Sequence, residues 1–351
     1  MNTIFKTIAV ISIIFFTSCK NRNKDQSSGS IIGTGQMPNI VKDNDDILHL
    51  AYGSGDSLMY SYSADKGRSF SSPTLISIVH ELAASHTRGP QIAATTNGVT
   101  IIACNNAGDI FSFKKSGSDK WLQTARVNDV DTVAKEGLMA LSGDGQNVFA
   151  VWLDLRDKHN KIFGAKSIDG GKTWTKNIMI YASPDTNVCE CCKPSVVVKE
   201  NNVYVMFRNW LNGNRDLYLV KSTDGGNSFG PAQKLGKGSW ALNGCPMDGG
   251  GITVTNDNPQ TVWRREGKIY ACEPGYTEKE IGEGRSCILE SVNGKNIYAW
   301  TEKGEVVILK PQGMKKYLGK GQQPVIRVIN NEHIICVWEY EKQIHTAVLE
   351  L

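Results

Sequence analysis

Ser63-Ala64-Asp65-Lys66-Gly67-Arg68-Ser69-Phe70 returns as Ser167-Ile168-Asp169-Gly170-Gly171-Lys172-Thr173-Trp174, and again as Ser222-Thr223-Asp224-Gly225-Gly226-Asn227-Ser228-Phe229. The shared pattern is S-x-D-x-G-x-[ST]-[FW]. A decayed fourth copy lies at Ser116-Gly-Ser118-Asp119-Lys-Trp121. The intervals are 169 − 65 = 104 and 224 − 169 = 55, so the first is close to two periods. Recurrence at such a period marks a repeat architecture. The octet reads as a hairpin turn. Its Asp accepts from backbone N–H groups two residues on, its Gly supplies a positive φ, and its aromatic plugs the next strand.

Around these turns, short β-rich runs alternate with Gly, Asn and Asp, and helical periodicity is almost absent. Apolar strands ending in an aromatic form a second column: Tyr52, Trp152, Phe207, Trp263, Trp300 and Trp338, with Cys104 in the corresponding place of the second unit. Seven blade-like units follow, starting near Pro38, Pro90, Leu138, Pro194, Gly250, Cys287 and Pro324. The last has room for three strands, and Ile31–Gly35 is expected to supply its fourth, closing the ring and removing its edges. The octet resembles the Asp box of the sialidase-like (BNR-repeat) β-propellers. The expected fold class is therefore all-β, a sialidase-like β-propeller, with seven blades by this count and six by analogy with sialidases themselves.

Composition agrees with a globular chain: 351 residues, 40% hydrophobic and 21% charged, enough to bury a large core. Lys+Arg 39 against Asp+Glu 35 gives +4, with no block of like charge. Nucleic acid is excluded as a partner on that ground, no cofactor is expected, and the chain reads as a monomer. At the N-terminus Lys6 precedes an apolar run from Thr7 to Phe16, too short to span a bilayer. Thr17-Ser18-Cys19 follows, and the whole resembles a bacterial lipoprotein signal. That implies a signal peptide over 1–18, lipidation at Cys19, a flexible tether over 19–30, and a single propeller domain over 31–351. The protein is then expected in the cell envelope, lipid-anchored to the membrane, with the outer membrane preferred.

Strand parity sorts residues between the two faces of a propeller. With strands A to D in each blade, the Asp boxes join C to D. The B–C loops and the connectors between blades must share the opposite face, which the resemblance makes the functional one, the Asp boxes Asp65, Asp169 and Asp224 being structural. That face carries Asp56, Asp154, Arg156, Asp157, Arg208, Arg215, Asp216, Arg264, Glu266, Glu339, Tyr340 and Glu341, together with His80, His86, Arg88, Cys189, Cys191, Cys192, Trp240, Cys245 and Asp248. Arg156, Arg208 and Arg264 leave near-equivalent places in successive blades, with Arg215 beside them. Convergent guanidinium forks suit a carboxylate or sulfate. In sialidases three Arg hold the sugar carboxylate, and a Tyr–Glu nucleophile and an Asp acid/base act on the bond. By that resemblance Tyr340 with Glu341 or Glu339, and Asp56, are the catalytic candidates, Glu341 being preferred, and Arg156, Arg208, Arg215 and Arg264 the ligand contacts. The first-blade Arg of the superfamily's [FY]-R-I-P motif is missing: Gly35-Gln36-Met37-Pro38 stands there. The expected function is recognition of an anionic glycan, with hydrolysis as its fuller form. The rivals are a non-catalytic glycan- or protein-binding propeller and a thiolate protein for Cu(I) or Zn(II).

Trp152-Leu-Asp-Leu-Arg156-Asp157, Cys189-Glu-Cys-Cys192, Phe207-Arg-Asn209 and Gly244-Cys-Pro246 also resemble a subgroup of exported sialidase-like proteins with no assigned substrate. Eight Cys remain after Cys19. In an exported chain they suggest disulfides, with Cys189, Cys191, Cys192 and Cys245 stapling blades three to five. The competing reading makes the same group a metal-thiolate site, with His80 or His86 as a further ligand. Its C-x-C-C spacing is not a standard zinc spacing. Cys272 and Cys287 are a further candidate pair; Cys104 and Cys336 read as small core residues.

Overall fold

A computed structural model describes residues 29–116 and 120–351. Cys19 and the tether, and the Asp119 of the decayed Asp box, lie outside the described residues. The described chain forms 28 strands in seven four-stranded antiparallel sheets. It is a seven-bladed β-propeller. Six blades are consecutive hairpins over residues 36–78, 91–126, 139–181, 195–234, 251–283 and 285–320. The seventh takes three strands from residues 322–350, and its outer strand is Ser30–Thr34, paired with Gln343–Glu350. The closing strand thus comes from the segment that the sequence singles out.

The hydrophobic core is a ring of seven clusters, each between two neighbouring blades. Trp152 packs with Ile102, Cys104 and Ile110 of the preceding blade, Trp300 with Val262 and Ile269, and Tyr52 with Ile335 and Val337 across the closure. Phe207, Trp263 and Trp338 do the same at their own interfaces. One member of the column is corrected. Cys104 faces blade three, in the Trp152 cluster, whereas Ala103 faces blade one. Side chains alternate along a strand, so an error of one residue changes the face.

Several B-strand aromatics leave their mark on the blade entrance. A Cβ on Gly284 would meet Trp300 Cδ1 at 2.7 Å, and one on Gly321 would meet Trp338 Cδ1 at 2.2 Å. Both residues also hold φ beyond +140°, so glycine is required twice over.

The Asp boxes are turns, as read, with one revision. Asp169 Oδ1 accepts from the N–H groups of Lys172 and Thr173, three and four residues on, and Oδ2 accepts from Thr173 Oγ1 at 2.6 Å. Ser167 Oγ donates to Asp169 and accepts from Gly171 N–H, which explains the leading Ser of the motif. These bonds favour the ionised carboxylate. Against the opposing pull of burial, the Thr173 hydroxyl and amide bonds hold Asp169 at about 2. The Ser69 hydroxyl and amide do the same for Asp65, also at about 2. Because the folded pKa lies below the unfolded one, the stabilisation is complete above about pH 4 and is lost as pH falls through about 2. Asp169→Ala is expected to cost about 1 kcal/mol at neutral pH, the usual value of a lost turn or cap bond. It should also flatten that acid limb in urea titrations run at several pH values. An unchanged midpoint at pH 7 would contradict the assignment.

Candidate functional site

The parity assignment is visible as contacts between loops of one face. Val79 N–H donates to Asp56 O at 2.8 Å, and His80 Nδ1 lies 3.4 Å from Asp56 Oδ2. Cys189 N–H donates to Arg208 O at 3.1 Å, joining the connector before blade four to the end of that blade's second strand.

The four arginines do not share a pocket. Arg156 is engaged at home. Its Nε and Nη2 donate to Asp154 at 2.9 and 3.0 Å, its Nη1 to Asp129, and its Nη2 also to Asn177, while its guanidinium lies 4.1 Å from the Phe163 ring. Arg208, only 1% exposed, makes four hydrogen bonds to three backbone carbonyls. Nε and Nη2 reach Asp248 O, Nη2 also reaches Arg264 O, and Nη1 reaches Arg215 O. Arg264 donates to Pro246 O and lies 5.7 Å from the Trp240 ring. Arg215 donates to Leu242 O and, through Nη1, to Cys189 Sγ at 3.0 Å, with its guanidinium over Trp210. Arg208, Arg215 and Arg264 therefore gather between blades four and five, where they tie connectors together.

The same connectors hold sulfur. Cys191 and Cys245 form a disulfide across a separation of 54 residues, whereas Cys189 and Cys192 are free and buried. The expected stapling thus falls to one bond, not two. Cys189 Sγ lies 3.5 Å from Cys192 Sγ and 3.8 Å from Cys191 Sγ. The Cys189 thiol is drawn down to about 6, first by its hydrogen bond with Cys192 and then, against burial, by the charges of Arg208 and Arg215. Burial pushes the Cys192 thiol up. Asp248, buried behind them, is raised by burial, and its Oδ2 accepts Ser286 N–H at 2.8 Å. Cys272 and Cys287 are free, buried and unpaired, unlike the expectation for them. Cys104 and Cys336 sit in the core.

Tyr340 and Glu341 stand together, and Asp56 is engaged elsewhere. Asp56 faces His80. Tyr340 lies against the His345 ring at 6.1 Å, and its hydroxyl is raised by its bond to the adjacent Glu341. None of the three lines the cavities at the propeller axis.

Those axial cavities provide the concave site of this face. The inner strands surround a channel of about 360 Å³ lined by Asn39, Gln91, Lys193, Glu290 and Arg327 among others. Glu290 and Arg327 pair across it, and Lys193 Nζ donates to Gln91 Oε1 at 2.8 Å. Burial in the channel lowers Lys193 to about 8. At the mouth, a cavity of about 240 Å³ is lined by Gln36, His86, Thr87, Met247, Arg285, Gln322, Gln323 and Glu339. Met37, His86, Thr87, Met247, Ser286 and Gln323 around the mouth all hold positive φ, and left-handed non-glycine backbone collects at functional sites. Glu339 is fixed there: Oε2 accepts Met37 N–H at 2.7 Å and Oε1 accepts Gln322 Nε2 at 2.8 Å.

Arg285 went unnoticed in the sequence. Its side chain is exposed, and among the described residues its guanidinium makes no hydrogen bond or close ion pair, although its charge acts on the buried Asp248 carboxyl. Its slot was legible: Gly35-Gln36-Met37-Pro38, Gly284-Arg285-Ser286-Cys287 and Gly321-Gln322-Gln323-Pro324 are equivalent blade entrances. All three carry a bulge at the same place, between Gln36 and Asn39, Arg285 and Ile288, and Gln322 and Val325. The arginine missing from blade one stands in the equivalent place of blade six.

No protein-family model and no curated protein sequence matches the chain. Solved structures do. An α-L-arabinanase of Penicillium chrysogenum in complex with arabinobiose aligns at 14% identity and TM-score 0.52, over 77% of this chain and 96% of its own. An α-L-arabinofuranosidase of Fusarium graminearum aligns at 11% and 0.53, over 90% and 93%. The NanB sialidase of Streptococcus pneumoniae aligns at 13% and 0.48, over 93% and 70%. The likeness is one of fold.

Proposed function

We propose that this protein recognises a carbohydrate bearing an anionic group at the mouth of its channel, with Arg285 taking the anion. The observation that carries the reading is the exposed Arg285 guanidinium, without a hydrogen bond or close ion pair among the described residues, in a concave mouth whose other walls are amide, imidazole, hydroxyl and carboxylate side chains and Met247. Such a wall suits sugar hydroxyls, and a free guanidinium suits a carboxylate or sulfate. Propellers of the same fold are solved with arabinobiose and with an iminosugar inhibitor, which supports a carbohydrate as the ligand class. The proposal is binding. Among the described residues Tyr340, Glu341 and Asp56 do not line the mouth, and Glu339, which does, is held by Met37 N–H and Gln322.

Calorimetry with acidic and neutral oligosaccharides tests this reading. An acidic sugar should bind, neutral analogues poorly, and added salt should weaken the acidic one. Arg285→Ala should weaken binding by about tenfold to a hundredfold, the range of a charge-assisted hydrogen bond. Arg285→Lys should recover only part of this, and Arg156→Ala none of it should be lost. If no acidic sugar binds, or if Arg285→Ala binds as wild type, the protein-binding rival takes its place.

We propose also that the chain is exported and acylated at Cys19, as its resemblance to a lipoprotein signal implies. Cys19→Ala should move the protein from the membrane fraction to the soluble one. Unchanged fractionation would remove the anchor from this account.

A further inference from the structure

We infer that Cys189, Cys191, Cys192 and Cys245 form, once the Cys191–Cys245 bond is reduced, a binding site for one thiophilic d10 cation, Zn(II) or Cu(I). The argument begins with sulfur spacing. A zinc–sulfur bond of about 2.3 Å in tetrahedral geometry sets neighbouring sulfurs about 3.8 Å apart. Cys189 stands 3.8 Å from Cys191 and 3.5 Å from Cys192, and the three sulfurs lie within 4.8 Å of one another. Cys245 Sγ, bonded to Cys191 Sγ, stands at the edge of this group, and reduction frees the two sulfurs to part to the spacing of neighbouring ligands. The fold, not the local spacing, assembles this set, since Cys245 comes from the next connector. That is why the C-x-C-C run resembles no standard zinc pattern.

The surroundings are those of a negative sulfur cluster. Arg215 Nη1 donates to Cys189 Sγ at 3.0 Å and Asp248 N–H donates to Cys192 Sγ at 3.4 Å. Donors to ligand sulfur orient the ligands and tune the ion they hold. Four thiolates around a divalent or monovalent ion keep a net negative charge, and the cationic Arg215 lies against it. The anion that Arg215 faces is the protein's own sulfur. Cys189 and Cys192 are buried while Cys245 is exposed, so the ion has an entry side and a closed side.

The chemistry balances. An external dithiol attacks the Cys191–Cys245 disulfide, leaves as its own disulfide, and passes two electrons and two protons to the two sulfurs. The four thiols then take up one cation and release their protons.

The test uses the purified protein, reduced under anaerobic conditions and freed of reductant. It is titrated with Zn(II) against a chromophoric zinc chelator and with Cu(I) against bicinchoninate. One equivalent of one ion should be retained. Untreated, disulfide-containing protein, and separately the Cys189→Ser and Cys192→Ser variants, should bind at least about a hundredfold more weakly. Two readouts need no variant. Ion loading should protect all four cysteines, including exposed Cys245, from iodoacetamide. X-ray absorption should show a sulfur shell near about 2.3 Å. The inference is overturned if the reduced protein retains no stoichiometric ion, if Cys245 is alkylated at the same rate with and without the ion, or if the disulfide form binds equally well. The experiment contains no sugar and spares Arg285, so its failure and that of the glycan reading are distinguishable.

Discussion

Arg208→Ala is expected to destabilise the propeller by about 3–5 kcal/mol, the cost of breaking a buried, fully hydrogen-bonded ionic group by removing one side. Its guanidinium satisfies the carbonyls of Asp248, Arg215 and Arg264, which belong to loops of blades four and five. Removal leaves those acceptors buried without donors and takes a cation from beside the buried Asp248 carboxyl. Each orphaned buried acceptor costs about 1–3 kcal/mol. Arg208→Lys should recover only a fraction, because one ammonium cannot reach acceptors spread around a planar fork. Urea unfolding is the measurement, with an unchanged m-value showing that the midpoint reports stability. A loss below about 1 kcal/mol would place Arg208 among ligand contacts after all, as the sequence suggested.

Deleting residues 29–34 should cost a comparable amount, about 3–5 kcal/mol, and change the association state as well. The strand Ser30–Thr34 makes register pairs from Ser30 with Thr346 to Thr34 with Gln343. Its net hydrogen bonds are worth about 1 kcal/mol each. Its backbone also covers two buried aromatics: a Cβ on Gly33 would meet the Tyr52 hydroxyl at 2.5 Å, and one on Gly29 would meet Trp338 Cη2 at 2.9 Å. Without it, Gln343–Glu350 becomes an open edge strand, a template for pairing with another chain. The truncated protein should melt at a lower temperature and sediment as concentration-dependent oligomers. Native melting with a monomeric profile would mean that the ring does not depend on this closure.

Features fixed by local chemistry were the legible ones. The Asp boxes depend on residues within one octet, so Ser167, Asp169 and Gly171 announce their turn wherever it is placed. The blade repeat and strand parity follow from those turns and from the aromatic column, and parity alone put Asp56 and His80 on one face. Parity also has a limit. It names a face but gives no side-chain direction within it, and Cys104, misplaced by one residue, shows how sharply that direction depends on register.

The candidate site was less legible because its electrostatics are non-local. Arg156, Arg208 and Arg264 look equivalent along the chain. Arg156 meets Asp154 two residues away and Asp129 from another blade, whereas Arg208 is consumed by carbonyls of Asp248 and Arg264, 40 and 56 residues distant. Arg285, overlooked in the sequence, is the one left exposed at the mouth. Whether a guanidinium is available to a ligand depends on which acceptors the packed loops bring within about 3 Å. The same holds for sulfur: the sequence supplied four cysteines on one face, and only the approach of two connectors decided that Cys191 meets Cys245 while Cys189 meets Cys192 and Arg215. Sequence by itself determined the turns, the blade repeat and its two faces, since these rest on backbone geometry repeated every few residues, while the folded ring decided for seven blades over six. Tertiary structure decided which charges and thiols are spent and which remain, since that depends on partners far apart in the chain and close in space.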